Sequence, residues 1–309
     1  MNDRTVAQPI TVSIAAVERD TGLSKDTLRV WERRYGFPKP QRDSFGERAY
    51  PLDQIEKLRI IKRLLDAGHR PGRIVAMDIL SQTLGESLSA APQRIATNES
   101  TDLSVYIDLI KSHDVEALRR ALTQTSMRIG VAALVCDVVA PLTVMVGDAW
   151  MRGLIEVFEE HMYTESVNIV LRQAISNAPA PDAASRPRIL LTTFPQEPHG
   201  LGLLMAEVML SVEGCRCLSL GTQTPVWDIA LAATAHRTDI VALSFTASQN
   251  PNYVTSGLLE LRKKLPRAVD IWVGGSCPVL SRKPVDSITY TESLGHIGRL
   301  VADWRQKRI

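Results

Sequence analysis

From residue 187 onward, short apolar runs alternate with longer amphipathic stretches. RILLTTF, CRCLSLG, DIVALSF and VDIWVGG are strand-length and almost continuously apolar, while GLLMAEVMLSV, VWDIALAATAHR and SGLLELRKKL have helical length and spacing. A strand apolar on both sides must be covered on both sides. The alternation therefore confines this segment to a parallel sheet with helices on each face.

Ahead of it the chain breaks twice. ISNAPAPDAASRPR (175–188) is rich in Ala and Pro, and residues 83–102, TLGESLSAAPQRIATNESTD, are small and polar with no sustained apolar period. The latter reads as a linker. Between the breaks, residues 103–176 keep a helical period throughout, enough for four helices in a small bundle. The first piece, residues 9–82, is helical with one irregular stretch.

The chain has 309 residues, 45% of them hydrophobic, and a net charge of +2. Residues 1–82 hold 15 Lys and Arg against 11 Asp and Glu, a local +4 that leaves −2 for the remainder. That bias leans toward nucleic acid. Cys136, Cys215, Cys217 and Cys277 lack the paired spacing of a zinc site and read as reduced thiols. No signal peptide is visible and no apolar run reads as membrane-spanning, so a cytoplasmic protein without a membrane partner is expected.

In TVSIAAVERDTGLSKDTLRVWERRYG, Gly22 permits a tight turn and Ser24 is a good helix N-cap. Two helices around that turn make a helix-turn-helix. The second would present Lys25, Thr27, Arg29, Arg33 and Arg34 to a groove and turn Leu28 and Trp31 inward. The words S-I-A-A-V-E-R-D-T-G-L-S, R-x-W-E-R-R-Y-G, R-A-Y and L-x-x-G-x-x-P-G-x-I, spanning about residues 11–80, resemble the MerR family of transcription regulators. The resemblance implies a winged helix-turn-helix on a double-stranded DNA operator, with Arg42, Arg48 and Tyr50 as wing contacts to the DNA backbone. It also implies a dimer or tetramer of the chain. His69, His113, His236 and His296 read as structural or solvated.

In ILLTTFPQEPHGLGLLMAEVML, Glu197, His199 and Gly202 follow a strand and precede a helix, where open parallel sheets bind ligands. The pattern E-x-H-x-x-G at 197–202, S-x-T at 244–246 and G-G at 274–275 resembles the cobalamin-binding Rossmann-like module. The resemblance implies that His199 ligates cobalt from below and that Ser244, Thr246, Gly274 and Gly275 line a slot for the nucleotide tail. Glu197 replaces the module's Asp, which implies a looser hold on His199, and Thr246 replaces its Leu.

GDAWMRGLIEVFEEH (147–161) sets Trp150, Glu160 and His161 ten and eleven residues apart, close to three helical turns, and so on one face of a single helix, with Val157 near the same stripe. With the order of domains, this W-x9-E-H stretch is similar to the CarH/LitR group of light-responsive, adenosylcobalamin-binding MerR-family repressors. The resemblance makes Trp150, Val157, Glu160 and His161 the cap over the adenosyl group, and light the signal that releases DNA. Met151 stands where well-known members carry a His, which implies a different photoproduct. An alternative is a regulator of the same architecture that acts without light or without cofactor. An enzyme, such as a corrinoid methyl carrier or mutase subunit, fits less well, because such carriers have no use for a DNA reader. The expected class is multidomain: an all-α winged helix-turn-helix head, a four-helix bundle, and an α/β Rossmann-like, flavodoxin-like module with a parallel sheet.

Overall fold

The computed structural model describes residues 11–43, 45–66, 71–75, 102–182, 184–247, 249–282 and 285–308. The linker at 83–102 and His69 therefore lie outside the described residues, apart from Asp102. The chain separates into two compact units, residues 1–96 with 151–154 and residues 97–150 with 155–309.

In the head, α1 (Ile14–Thr21) and α2 (Lys25–Tyr35) flank the predicted turn. Gly22 caps α1 at φ 69°, a left-handed conformation that glycine adopts without strain, and Ser24 Oγ accepts the Thr27 N–H at 3.1 Å. Leu28 and Trp31 are buried, as their spacing predicts. The head is not all helix. Three short strands, β1 (Thr11–Ser13), β2 (Gln41–Arg42) and β3 (Arg48–Pro51), form an antiparallel sheet in the order β1-β3-β2, and β2 and β3 make the wing. Helix α3 (Leu52–Asp66) packs its buried Ile55, Leu58 and Ile61 beneath.

In the second unit the bundle consists of α4 (Ser104–Lys111), α5 (Val115–Ile129), a long α6 and α7 (Val157–Asn177). Helix α6 runs from Val131 to Met151 and is π-helical over Leu134–Val139. Its stretch Val131–Trp150 is long and apolar enough to cross a membrane by length and composition, which corrects the reading that no run reaches that length. Here Leu134, Val138, Leu142 and Val146 face the unit's core.

The sheet comprises β4 (Arg188–Thr192), β5 (Arg216–Ser219), β6 (Ile240–Phe245), β7 (Asp270–Gly275) and β8 (Ile288–Tyr290), all parallel in the order β5-β4-β6-β7-β8. The first strand thus lies between the second and third, the flavodoxin-like order, with its switch point between β4 and β6. Helix α8 (Leu201–Val212) lies against one face and joins the bundle in a common core. The other face packs under α9 (Val226–Ala235) and α10 (Pro251–Lys264). The short β8 and the terminal helix α11 (Ile297–Gln306), whose Val301 and Trp304 are buried, are additions to the expected elements.

Candidate cofactor site and DNA-reading head

At the carboxyl ends of β4 and β6 a buried acid organises the loop that carries His199. Glu197 is fully buried. Its Oε1 accepts from His199 Nδ1 at 2.6 Å and from the His199 N–H at 3.2 Å. Its Oε2 accepts from the Thr246 N–H and the Thr246 hydroxyl, each at 2.8 Å. Burial alone would push the Glu197 carboxyl up, but the bonds from His199 and Thr246 outweigh it and hold the group below the usual carboxylate range. Two expectations change. The longer acid holds its histidine tightly rather than loosely, and Thr246 acts on Glu197 rather than only lining a slot. The loop is pinned further by buried Thr193, whose hydroxyl donates to the Glu197 carbonyl at 2.7 Å and accepts the Gln223 N–H at 2.8 Å.

An ionised carboxylate on Nδ1 makes that nitrogen the proton carrier, so Nε2, across the ring, is the atom that could take a metal. The His199 side chain is about half exposed while its acid partner is buried, an arrangement suited to a ligand arriving from outside the sheet. Among the described residues no group of three or more His, Cys, Asp or Glu could hold a bare ion. A metal held at His199 would have to bring its remaining ligands with it, as the cobalt of a corrin does.

Ser244 pairs with Gly274 and Phe245 with Gly275 across β6 and β7. The two glycines answer to different demands. A Cβ on Gly275, at φ +113°, would lie 2.1 Å from the Phe245 carbonyl oxygen, so the backbone itself forbids a side chain there. A Cβ on Gly274 would meet only Thr291 Cβ, at 3.8 Å, an ordinary contact. The protein leaves room at Gly274, and a bulky ligand tail would use it. Gly202 starts α8 so close to Ser244 that a Cβ would sit 3.2 Å from its hydroxyl. These residues fit a cobalamin and its tail.

Beside His199 a cavity of about 680 Å3 opens between α7 and the loop after β4. Thr164, Asn168 and Arg172 line it from the bundle, Pro198, Gly200 and Glu207 from the sheet side. Arg172 reaches the nearly buried Glu207 at 3.3 Å, and burial raises the Glu207 carboxyl against that cation's pull. The sequence reading missed these lining residues. Their signal was the polar spacing Thr164, Asn168, Arg172 along one face of α7.

The cap stretch departs from its expected shape. It is not one helix: α6 ends at Met151, the chain turns, and α7 starts at Val157. Gly153 lies at φ 69°, and the Glu159 side chain takes the Glu156 N–H at 2.6 Å to open the new helix. Trp150 thus closes one helix while Glu160 and His161 sit in the first turns of the next. Glu160 accepts from the Thr164 hydroxyl at 2.7 Å and lies 3.7 Å from His161, whose side chain is exposed, as is Val157. Through Thr164 this end of α7 borders the cavity. The Met151 side chain lies outside the described residues. His113, expected to be bland, ties the α4–α5 corner to Glu159 at 2.9 Å.

On α2, Arg29, Arg33 and Arg34 are exposed. Arg29 reaches Asp26 at 3.3 Å, Lys25 reaches Glu18 at 3.6 Å, and the Thr27 hydroxyl meets Ser24 Oγ at 2.8 Å within the cap. Arg42 is exposed on the wing. Arg48 is half-buried and pairs with Glu32 of α2 at 2.8 Å, so it braces the wing against that helix. Tyr50 corrects the reading of it as a DNA contact: its ring is fully buried in the head's core and its hydroxyl has no partner among the described residues.

A winged helix-turn-helix ahead of a helical bundle and a His-bearing parallel-sheet module has the make-up of a DNA-binding regulator joined to a ligand-binding module. Residues 12–77 match the MerR HTH family regulatory protein model, and residues 105–174 match the B12 binding domain model. The chain is 31% identical to the HTH-type transcriptional repressor CarH of Myxococcus xanthus, covering 82% of this chain and 85% of that protein. To the repressor CarA of the same organism it is 30% identical, covering 97% and 98%. The solved monomethylamine corrinoid protein of Methanosarcina barkeri shares its fold at a TM-score of 0.50 and 16% identity, over 65% of this chain and 96% of that one. The chain belongs to the CarH/CarA family of MerR-type, B12-binding transcriptional regulators.

Proposed function

We propose that the chain is a light-sensing repressor that binds its operator as a dimer or tetramer while adenosylcobalamin is loaded, and acts in the cytoplasm. The observation that carries the reading is the Glu197–His199–Thr246 cluster beside a cavity bordered by α7. The cofactor supplies a cobalt–carbon bond that visible light breaks. The chain's residues do the rest. His199 offers Nε2 to the metal, Glu197 fixes the ring, Gly274 leaves space beside Ser244 for the tail, and Trp150, Val157, Glu160 and His161 close the upper side. Because α6 and α7 meet at a turn inside the cap, a change at the upper face would tilt one helix end against the other, a natural route to altered assembly. The residues offered to DNA are Lys25, Thr27, Arg29, Arg33, Arg34 and Arg42, with Arg48 as brace. An electrophoretic shift assay on operator DNA, with the loaded chain kept dark or lit by green light, tests the reading. Binding in the dark and release in the light is expected; equal binding in both would exclude light as the signal.

A further inference from the structure

The wing ends in an exposed aromatic that the head does not use. Phe45 is 88% exposed, more than any other large hydrophobic side chain among the described residues. Its backbone is nonetheless tightly held. Asp43 Oδ1 accepts the N–H of Phe45 at 2.9 Å and of Glu47 at 2.8 Å, and the Gly46 N–H reaches the Asp43 carbonyl at 3.0 Å. Arg42 braces the tip from its own strand, donating to the Gly46 carbonyl at 2.7 Å. Among the described residues the turn's bonds join backbone groups, Asp43 and Arg42, and none of them requires an aromatic at position 45. A ring left in water forgoes the stabilisation its burial would give.

The wing's direction is also set. Arg48, at its base, is anchored to Glu32 of α2, the helix that reads the groove. With α2 in the major groove, a wing held at its base by α2 would meet the DNA beside that site, where the minor groove lies. We propose that Phe45 is a minor-groove wedge: its ring enters the narrow groove beside the site of α2 and packs against a deformable base step. Apolar side chains so placed partly unstack a step and favour sequences that yield easily. The proposal rests on the head's reading as a DNA binder and adds a sequence preference carried by no hydrogen bond. The cations of α2 and Arg42 supply attraction to phosphates, which is blind to sequence.

The test uses the full chain and a duplex selected by it from a random pool, with 2-aminopurine placed at steps flanking the α2 site. Bound wild-type chain should raise 2-aminopurine fluorescence at one step. Phe45→Ala should abolish the rise and weaken the selected duplex about 10-fold, leaving random-duplex affinity and the salt slope unchanged; Phe45→Leu should lose less. Arg42→Ala should weaken both duplexes and lower the salt slope by about one. No fluorescence rise with the wild type, equal loss on both duplexes, or no loss for Phe45→Ala overturns the proposal. So does a change in the DNA-free chain's sedimentation on Phe45→Ala, which would make the ring a protein contact. If the wild type selects no duplex at all, the DNA reading itself falls and takes the wedge with it.

Discussion

Thr246 and Glu197, 49 residues apart, meet through two hydrogen bonds of 2.8 Å each, one from the Thr246 backbone and one from its hydroxyl. The two positions at which the sequence differs from the cobalamin-binding module's pattern are therefore one unit. The longer acid reaches past His199, and the Thr246 hydroxyl donates to its far oxygen. Thr246→Val removes that donor and leaves a buried carboxylate oxygen under-satisfied. Adenosylcobalamin retention in equilibrium dialysis should fall about 10-fold, the usual scale for losing an outer partner of a metal ligand. Thr246→Ser should restore it, and wild-type retention by the Val variant would disprove the coupling.

The glycine pair separates folding from binding. Gly275→Ala places a Cβ against the Phe245 carbonyl and strains a positive-φ residue, so it should destabilise the chain by about 3 kcal/mol. Gly274→Ala should leave the melting temperature of the cofactor-free chain near wild type and reduce cobalamin retention. Equal melting for both variants would contradict the distinction.

How much of this could be read in the sequence depends on the range of the interaction. Patterns within one element were legible: the Ser24 cap, the Gly22 turn, the inward Leu28 and Trp31, and the alternation that builds the sheet. Features that need two elements side by side were not. Tyr50 reads as a wing contact until β3 is seen to turn it into the head, and Thr246 as a slot wall until β6 ends beside Glu197. The W-x9-E-H spacing imitates three helical turns, while Gly153 and the Glu156–Glu159 contact break the helix between. The three-residue β8 is too short for its period to show.

Asp239 makes stability depend on acid. It is buried, accepts the Arg188 N–H at 2.8 Å and pairs with Arg186. Burial pushes its carboxyl up, but the bonds from Arg186 and Arg188 outweigh that and hold it below its ordinary range. A depressed carboxyl stabilises the fold above its unfolded value, near 3.9, and loses that contribution as pH falls through the folded value. Asp239→Asn should cost about 2 kcal/mol at pH 7 and flatten the acid limb of urea midpoints measured from pH 7 to 3. An unchanged acid limb would contradict this.

The thiols should be inert. Burial pushes Cys215 up to about 11 and Cys217 up to about 12, so at pH 8 neither supplies much thiolate. Iodoacetamide at that pH should label the folded chain slowly at both positions and rapidly once guanidinium unfolds it. Fast labelling of either in the folded chain would show that the strand edge opens.

The most direct test of the whole account is gel filtration of the chain with adenosylcobalamin, monitored by absorbance in the dark and after green light, with His199→Ala in parallel. The account predicts that cobalamin co-elutes with the wild type in the dark, that the variant retains much less, and that illumination alters both the spectrum and the elution volume. Cobalamin retained equally by the variant, or a loaded wild type whose spectrum and size ignore light, would contradict it.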